Sequence, residues 1–245
     1  MSSKELLLKV SGLKINYGAA SAVRGVDLEV REGELVAIIG NNGAGKTSIL
    51  RGISGLVPPS EGTVEFKGID TTRFGAHEKV RLGLAMIPEG RLIFADQTVE
   101  DNLILGAYTR WSADRGAVLR EFDELFELFP RLRERRNQRA GSLSGGEQQM
   151  LAIARGLLSK PALLMIDELS LGLAPKIVEQ LIALLRDLNA KGQAILLVEQ
   201  LASHALAIAQ RAYVVGHGRI EMDGPASELA GSAEVMEAFL GKKKN

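Results

Sequence analysis

A five-residue apolar run leading directly into a glycine-rich segment constrains the fold of this chain more than any other feature. Leu35–Ile39 contains only apolar residues, and GNNGAGKT follows at residues 40–47. An uninterrupted apolar run of this length is typical of a strand buried on both faces. The glycine-rich segment fits G-x-x-x-x-G-K-[ST], whose glycines turn backbone N–H groups toward phosphate oxygens before a helix. The sequence therefore predicts a strand, a phosphate loop and a helix in succession.

Two residues at the end of this loop have specific expected roles. Lys46 is expected to reach the β- and γ-phosphates of a nucleotide, and the Thr47 hydroxyl is expected to bind Mg²⁺. The positive end of the following helix favours the same anion. An isolated match could still be a glycine-rich turn without a ligand. The residues expected to contact phosphate are Gly40, Asn41, Asn42, Gly43, Ala44, Gly45, Lys46, Thr47 and Ser48.

Two later segments argue against a glycine-rich turn without a ligand. LLMIDE, at residues 163–168, is an apolar run closed by two carboxylates, as expected of a buried strand whose C-terminal end carries chemistry. LSGGE, at residues 143–147, places Ser144, Gly145 and Gly146 before a predicted helix. Adjacent glycines before a helix allow close approach of a phosphate. Because the phosphate loop already serves one nucleotide, this second anion site is expected to serve the nucleotide of another molecule.

The order and spacing of the three segments resemble those of the ATP-binding subunits of ABC transporters, over essentially the whole chain. The resemblance implies two ATPase subunits that face each other head to tail and bury two molecules of ATP, each with Mg²⁺. It implies that Asp167 is a direct or indirect Mg²⁺ partner and that Glu168 is the catalytic glutamate that polarises the attacking water. It also implies that Tyr17 stacks on adenine.

Three departures from the general pattern of this family indicate a subclass. Glu89, in IPEGR, stands where most members have a glutamine that contacts Mg²⁺ and water, and is a candidate for both tasks. Gln200, in LLVEQ, replaces a switch histidine and is expected to sense the γ-phosphate, whereas His204 is interpreted as a surface residue. Leu169 and Gly172 replace a proline and part of an Asp-containing loop. Together these segments resemble the second ATP-binding subunit of high-affinity branched-chain amino acid importers.

That subclass implies a set of partners and leaves alternatives open. The expected partners are transmembrane permease subunits, an identical or paralogous ATPase subunit and, indirectly, a periplasmic or extracellular substrate-binding protein. An ATPase of another transporter, such as a lipopolysaccharide-type exporter, is one alternative. A soluble ABC ATPase of DNA repair or translation is another, although this chain has one cassette and no heptad run. The transported substrate contacts none of these residues.

The composition of the chain indicates which partners and which cellular compartment are compatible with it. Thirty basic and thirty acidic residues cancel among 245, which argues against a nucleic-acid partner. The absence of cysteine fits a reducing compartment. Since no apolar run approaches the roughly 20 residues of a membrane span, we expect the chain at the cytoplasmic face of the inner membrane, held there by permeases. Lys242–Lys244 is interpreted as a solvated tail.

Periodicity predicts an α/β chain with half-buried antiparallel strands near the N-terminus and a helical stretch in the middle. The family resemblance implies a P-loop NTPase core with a mostly parallel sheet, an N-terminal antiparallel β subdomain and a helical subdomain. We therefore expect residues 1–245 to form one ABC ATPase domain, with 1–88 and 161–245 as the nucleotide-binding core and 89–160 as the helical part. Thr98–Asp101 is a capping box, and Leu119, Phe122, Phe126 and Phe129 are expected on the buried face of one helix. The predicted strands are 6–16, 26–30, 35–39, 63–66, 84–87, 163–167, 194–199, 212–215 and 219–223, and the predicted helices are 47–53, 118–129, 147–158 and 175–191.

Overall fold

Two sheets and a group of helices make up the computed structural model, which describes residues 4–111, 115–232 and 235. The lysine tail at residues 242–244 lies outside this range. No helix within the described residues is both long enough and apolar enough to cross a bilayer. The strands are β1 Leu6–Tyr17, β2 Ala20–Arg31, β3 Leu35–Ile39, β4 Glu61–Phe66, β5 Ile69–Asp70, β6 Leu84–Ile87, β7 Leu163–Asp167, β8 Ala194–Glu199, β9 Arg211–Gly216 and β10 Arg219–Pro225. The helices are α1 Lys46–Ser54, α2 Ala76–Arg81, α3 Val99–Gly106, α4 Tyr108–Trp111, α5 Arg115–Leu128, α6 Pro130–Glu134, α7 Gly145–Leu157, α8 Pro175–Ala190, α9 Ala202–Leu206 and α10 Ala226–Gly231.

The two sheets differ in strand direction. The larger sheet has the order β10-β9-β3-β8-β7-β6, and only the β10–β9 pair at its edge is antiparallel. The smaller sheet has the order β2-β1-β4-β5 and is antiparallel throughout. This arrangement confirms the predicted fold class, with a mostly parallel core sheet and an N-terminal antiparallel part.

The central strands of the larger sheet contribute alternate side chains to two hydrophobic cores. In β3, Val36 and Ile38 belong to the core shared with the antiparallel sheet and α1, whereas Leu35, Ala37 and Ile39 belong to the core shared with the helices. Because side chains alternate across a strand, a run that is apolar at every position can be buried on both faces. All five residues of β3 are buried, as the sequence predicts.

The helical part packs on one side of the larger sheet. The capping box before α3 is present, since the Thr98 side chain accepts from the Asp101 N–H and the Asp101 side chain accepts from the Thr98 N–H. In α5 the prediction for one residue is wrong, because Leu119 is 43% exposed. The buried stripe of this helix runs through Val118, Phe122, Leu125, Phe126 and on to Phe129, and Leu119 lies at its edge.

The observed ends of the strands and helices either coincide with the predicted ones or, with one exception, differ from them by a few residues. The main difference is β2, which begins at Ala20 rather than Val26 because it pairs with β1 along its whole length. The short elements α2, β5, α9 and α10 carry too little periodicity to be predicted. The division at residues 88/89 and 160/161 stays a prediction.

Candidate nucleotide-binding site

Three adjacent parallel strands end together at one edge of the larger sheet. Ile39 of β3 pairs with Glu199 of β8, and Asp167 of β7 pairs with Val198 of β8. The segments that follow these strands therefore meet, and they are the phosphate loop, Glu168 and Gln200. Ligands of open α/β sheets bind outside the carboxyl ends of the strands, so this edge is the place to look for a site.

Close backbone packing explains two glycines of the phosphate loop. A Cβ on Gly40 would lie 2.4 Å from the Val215 carbonyl oxygen, and one on Gly45 would lie 2.6 Å from the Ala22 carbonyl oxygen. Gly45 also has a φ of 109° and caps the N-terminus of α1. Only glycine meets both requirements, so α1 begins directly at Lys46 with its free N–H groups toward the loop.

The loop forms one wall of a cavity of about 520 Å³. That volume lies within the usual range for small-molecule sites, about 300 to 1,000 Å³. Tyr17, 42% exposed at the end of β1, is on its rim with Glu89. The residues that line it are Tyr17, Ala22, Asn42, Gly43, Ala44, Gly45, Lys46, Thr47, Ser48, Glu89, Glu168 and Leu171.

The Lys46 ammonium sits at the centre of a buried polar network. Its Nζ donates to the carbonyl oxygens of Gly40 and Asn41 at 2.9 and 3.2 Å, and it lies 3.4 Å from Glu168 Oε1. Gly40 and Asn41 thus contribute carbonyls rather than cavity surface. Lys46 is 4% exposed, so its charge acts at low dielectric, where an anionic ligand gains most from it.

Thr47 and Asp167 form the pair expected to hold a metal ion. The Thr47 hydroxyl donates to Asp167 Oδ1 at 3.2 Å, while Oδ2 is buried without a hydrogen-bond partner. The pKa of Asp167 is raised to about 6, mainly by burial and also by the nearby charges of Glu168 and Glu89, while the Thr47 bond and Lys46 oppose the rise. An orphaned carboxylate oxygen beside a hydroxyl fits Mg²⁺, which prefers oxygen ligands.

Across the described residues there is no group of three or more His, Cys, Asp or Glu side chains that could hold a metal.

Glu168 has an unusual backbone conformation. Its φ is 48°, in the left-handed region that side chains rarely adopt, and its N–H donates to the Val198 carbonyl at 2.9 Å. Such strain is found preferentially at functional sites. The turn brings the carboxylate back over the phosphate loop, beside Lys46.

The structure does not bring every candidate residue to the cavity. Ser144 is exposed and caps α7 in a capping box with Glu147, and neither it nor Gly145 nor Gly146 lines the cavity. Gln200 is exposed directly after β8 and does not line the cavity either. Of this segment, Ser144 is exposed at the N-terminus of α7, Gly145 is half-buried beside Arg91, and Gly146 is buried against Ile177.

Two residues near the site carry contacts that the sequence did not reveal. Arg91, two positions after Glu89, donates to Gln148 Oε1, and its guanidinium nitrogens would lie 3.3 Å from a Cβ on Gly145. Glu199, next to Gln200, is 1% exposed and binds Ser170. Arg91 lies in IPEGR and Glu199 in LLVEQ. In the sequence, only Glu89 and Gln200 of these two segments resembled known site residues.

This fold and this site define an ATP-binding cassette, and comparison with known proteins agrees. The family model described as "ABC transporter" matches residues 23–170, which is more than half of the chain. The chain belongs to the ABC transporter family, as an ATP-binding subunit with ATPase activity.

Curated relatives cover nearly the whole chain. It is 42% identical to the high-affinity branched-chain amino acid transport ATP-binding protein BraG of Pseudomonas aeruginosa, covering 96% of this chain and 100% of that protein. It is 37% identical to the probable branched-chain amino acid transport ATP-binding protein LivF of Archaeoglobus fulgidus, covering 91% and 94%. It is also 32% identical to the lipopolysaccharide export system ATP-binding protein LptB of Acidithiobacillus ferridurans, covering 96% and 97%.

Solved structures show the same architecture. An ATP-binding cassette of an ABC transporter in its ADP conformation has a TM-score of 0.85 and 25% identity, covering 97% of this chain and 100% of that one. A dimeric, post-hydrolysis cassette bound to ADP and Pi has a TM-score of 0.78 and 26% identity, covering 90% of this chain and 99% of that one.

Proposed function

We propose that this chain is the ATP-hydrolysing motor subunit of an importer for branched-chain amino acids. The observation that carries the motor role is the placement of Glu168 beside Lys46 over the phosphate loop. Two relatives named for branched-chain amino acid transport, at 42% and 37% identity over nearly full length, support the substrate class. The 32% identity to an export protein makes lipopolysaccharide-type export the second candidate.

Nucleotide binding is assigned to the cavity. Lys46 and the N-terminal N–H groups of α1 would hold the β- and γ-phosphates. Tyr17 would stack on the adenine, a contact that typically stabilises by about 1 to 3 kcal/mol. Thr47 and Asp167, with Glu89 at the rim, would hold Mg²⁺, which when bound neutralises part of the phosphate charge.

Hydrolysis requires a water in line with the γ-phosphate. Glu168 would orient this water and accept a proton from it as the oxygen–phosphorus bond forms and the bond to the β-phosphate oxygen breaks. Lys46 would stabilise the charge that develops on the phosphate oxygens. Gln200, on the next strand end, would donate an amide hydrogen bond to the γ-phosphate once the site closes.

The exposed Ser144, at the start of the Ser144–Gly146 segment, supports a second subunit in the functional unit. Its capped helix N-terminus lies outside the chain's own cavity, so it would complete the site of a facing ATPase subunit, identical or paralogous, in a head-to-tail pair. ATP would then hold the two subunits together until hydrolysis.

An apolar surface on the helical part is the proposed docking site for permeases. Leu105 and Tyr108 are 43% and 76% exposed and line a cavity of about 570 Å³ with Trp111. Leu92 and Phe94 are each more than half exposed and follow Glu89 closely in the sequence. Permease contacts here would hold the chain at the cytoplasmic face of the inner membrane and link it indirectly to a substrate-binding protein.

Reconstitution tests both roles. The chain is assembled in vesicles with its permease subunits, a paralogous ATPase subunit where there is one, and the binding protein. Uptake of labelled leucine is then measured with ATP supplied on the side of the membrane that carries the ATPase subunits. ATP-dependent leucine uptake that is lost in Glu168→Gln supports the proposal. ATP hydrolysis that extracts lipopolysaccharide from vesicles, with no amino acid uptake, would favour the second candidate.

A further inference from the structure

A buried carboxylate on β8 binds the segment that follows Glu168. Glu199 Oε1 accepts from the Ser170 N–H at 2.9 Å, and Oε2 accepts from the Ser170 hydroxyl at 2.8 Å. Both carboxylate oxygens are therefore used, and Ser170 supplies both donors.

The segment Glu168–Leu171 is attached to β8 at two successive points. The Glu168 N–H donates to the Val198 carbonyl, and Ser170 binds the side chain of the next residue, Glu199. Leu169 between them is fully buried. These attachments surround the residue with a φ of 48°, so they define the direction in which the Glu168 carboxylate points.

Burying the Glu199 carboxylate is energetically unfavourable unless hydrogen-bond donors compensate for the loss of water. The residue is 1% exposed, and burial raises its pKa above the ordinary value, while the bonds from Ser170 and Gln200 oppose that rise. A buried carboxylate without donors is strongly unfavourable. The bonds from Ser170 supply these donors. The same bonds hold the Glu168–Leu171 segment in a fixed position.

We propose that Glu199 is a positioning residue for ATP hydrolysis. Through Ser170 it fixes the Glu168–Leu171 segment, and with it the Glu168 carboxylate over the phosphate loop. Leu171, one residue past Ser170, lines the nucleotide cavity, so the same clamp also shapes the wall that faces the nucleotide. This inference rests on the proposed catalytic role of Glu168.

The first experiment measures turnover and binding separately in the full-length chain. Glu199→Ala is expected to lower kcat for ATP hydrolysis about ten- to hundredfold, as expected for lost hydrogen bonds to a charged group. The Kd for a non-hydrolysable ATP analogue with Mg²⁺ should stay within about twofold, because Lys46 and the loop carry ground-state affinity. Ser170→Ala should lower kcat less, since its N–H still donates.

The second experiment measures the segment directly. Hydrogen–deuterium exchange of the nucleotide-free chain should show faster exchange at Ser170 in Glu199→Ala. Glu199→Gln should restore slow exchange and most of kcat, because its amide oxygen can accept from the N–H while its NH₂ donates to the Ser170 hydroxyl.

A matched control is a buried carboxylate at the opposite end of the same sheet. Glu34 is 6% exposed, precedes β3, and binds the Arg31 N–H and Arg211. Glu34→Ala should lower thermal stability comparably while leaving kcat and the exchange at Ser170 unchanged. This control separates positioning from general destabilisation.

Each adverse result has a distinct meaning. Unchanged exchange at Ser170 in Glu199→Ala refutes the clamp. Faster exchange with wild-type kcat refutes the positioning role, as does an equal loss of kcat and ATP affinity. If Glu168→Gln instead hydrolyses ATP normally, the proposed function of Glu168 is wrong, and the exchange data still report on the clamp itself.

Discussion

The Lys46 ammonium lies 3.4 Å from the Glu168 carboxylate, and the side chains are 3% and 13% exposed. The proposed phosphate-binding cation and the proposed catalytic carboxylate thus form an ion pair in a buried environment. A triphosphate bound in the cavity would compete with Glu168 for Lys46.

Lys46→Ala should weaken ATP binding by about 1.5 to 3 kcal/mol or more, because a charge-assisted contact to phosphate is lost. Calorimetric titration with ATP measures the change. Lys191→Ala, an exposed lysine at the end of α8, is the control and should bind normally. Near wild-type affinity in Lys46→Ala would show that the loop is not the nucleotide site.

Glu168→Gln should reduce kcat at least about a hundredfold, since an amide cannot accept the proton of the attacking water. ATP affinity should be retained or increased, because Lys46 loses its competing carboxylate. Size-exclusion chromatography with ATP should also reveal a trapped dimer, or a trapped pair with a paralogue. Undiminished hydrolysis would exclude Glu168 as the catalytic residue.

Asp167→Asn should stabilise the nucleotide-free chain at pH 7 by about 1 to 3 kcal/mol. The folded-state pKa of Asp167, about 6, is above the ordinary value of 3.8, so the folded state binds the proton more tightly. This favourable contribution is fully present below pH 4 and is lost as the pH rises through 6. Urea unfolding from pH 4 to 8 should show a clearly larger loss in the wild type than in the variant.

The same substitution should weaken the Mg²⁺ dependence of nucleotide binding, since the Oδ2 atom that lacks a partner becomes an amide nitrogen or loses its charge. Asp223→Asn, on β10, is the control for both measurements. A variant that is no more stable than the wild type at pH 7, and that keeps the full response to Mg²⁺, would contradict the assignment of Asp167.

Ser144→Ala should lower ATP-dependent pairing and ATPase activity. It should also cost about 0.5 to 2 kcal/mol of stability, because a helix cap is lost. Thr98→Ala removes the same kind of capping box from α3 and should cost a similar amount of stability without changing pairing or activity. Analytical ultracentrifugation and thermal unfolding measure the two effects. Equal effects of both substitutions on pairing would mean that Ser144 acts only as a cap.

Gln200→Ala should slow hydrolysis several-fold, by roughly one lost hydrogen bond of about 1 kcal/mol, while ATP binding is largely kept. Gln200→His should be tolerated and should introduce a pH dependence between about 6 and 7. Steady-state ATPase activity against pH in the assembled transporter tests both. If Gln200→Ala matches the wild type throughout, the sensor lies elsewhere, and His204 in α9 is the next residue to substitute.

The sequence by itself determined the local features of this protein. The strand, loop and helix from Leu35 to Ser54, the capping box at Thr98, and the carboxylates that end β7 all follow from short-range spacing. Such features depend on backbone sterics and on hydrogen bonds between residues close in sequence, so a few neighbouring residues specify them.

Only the tertiary structure decided which strand ends meet and what lies between them. The order β3-β8-β7 brings Lys46 to Glu168 and Ser170 to Glu199, and the packing of α7 brings Arg91 to Gly145. The exposure of Leu119 is also a result of how α5 packs. These contacts join residues far apart in sequence, and their energies depend on burial and register, which no local pattern records.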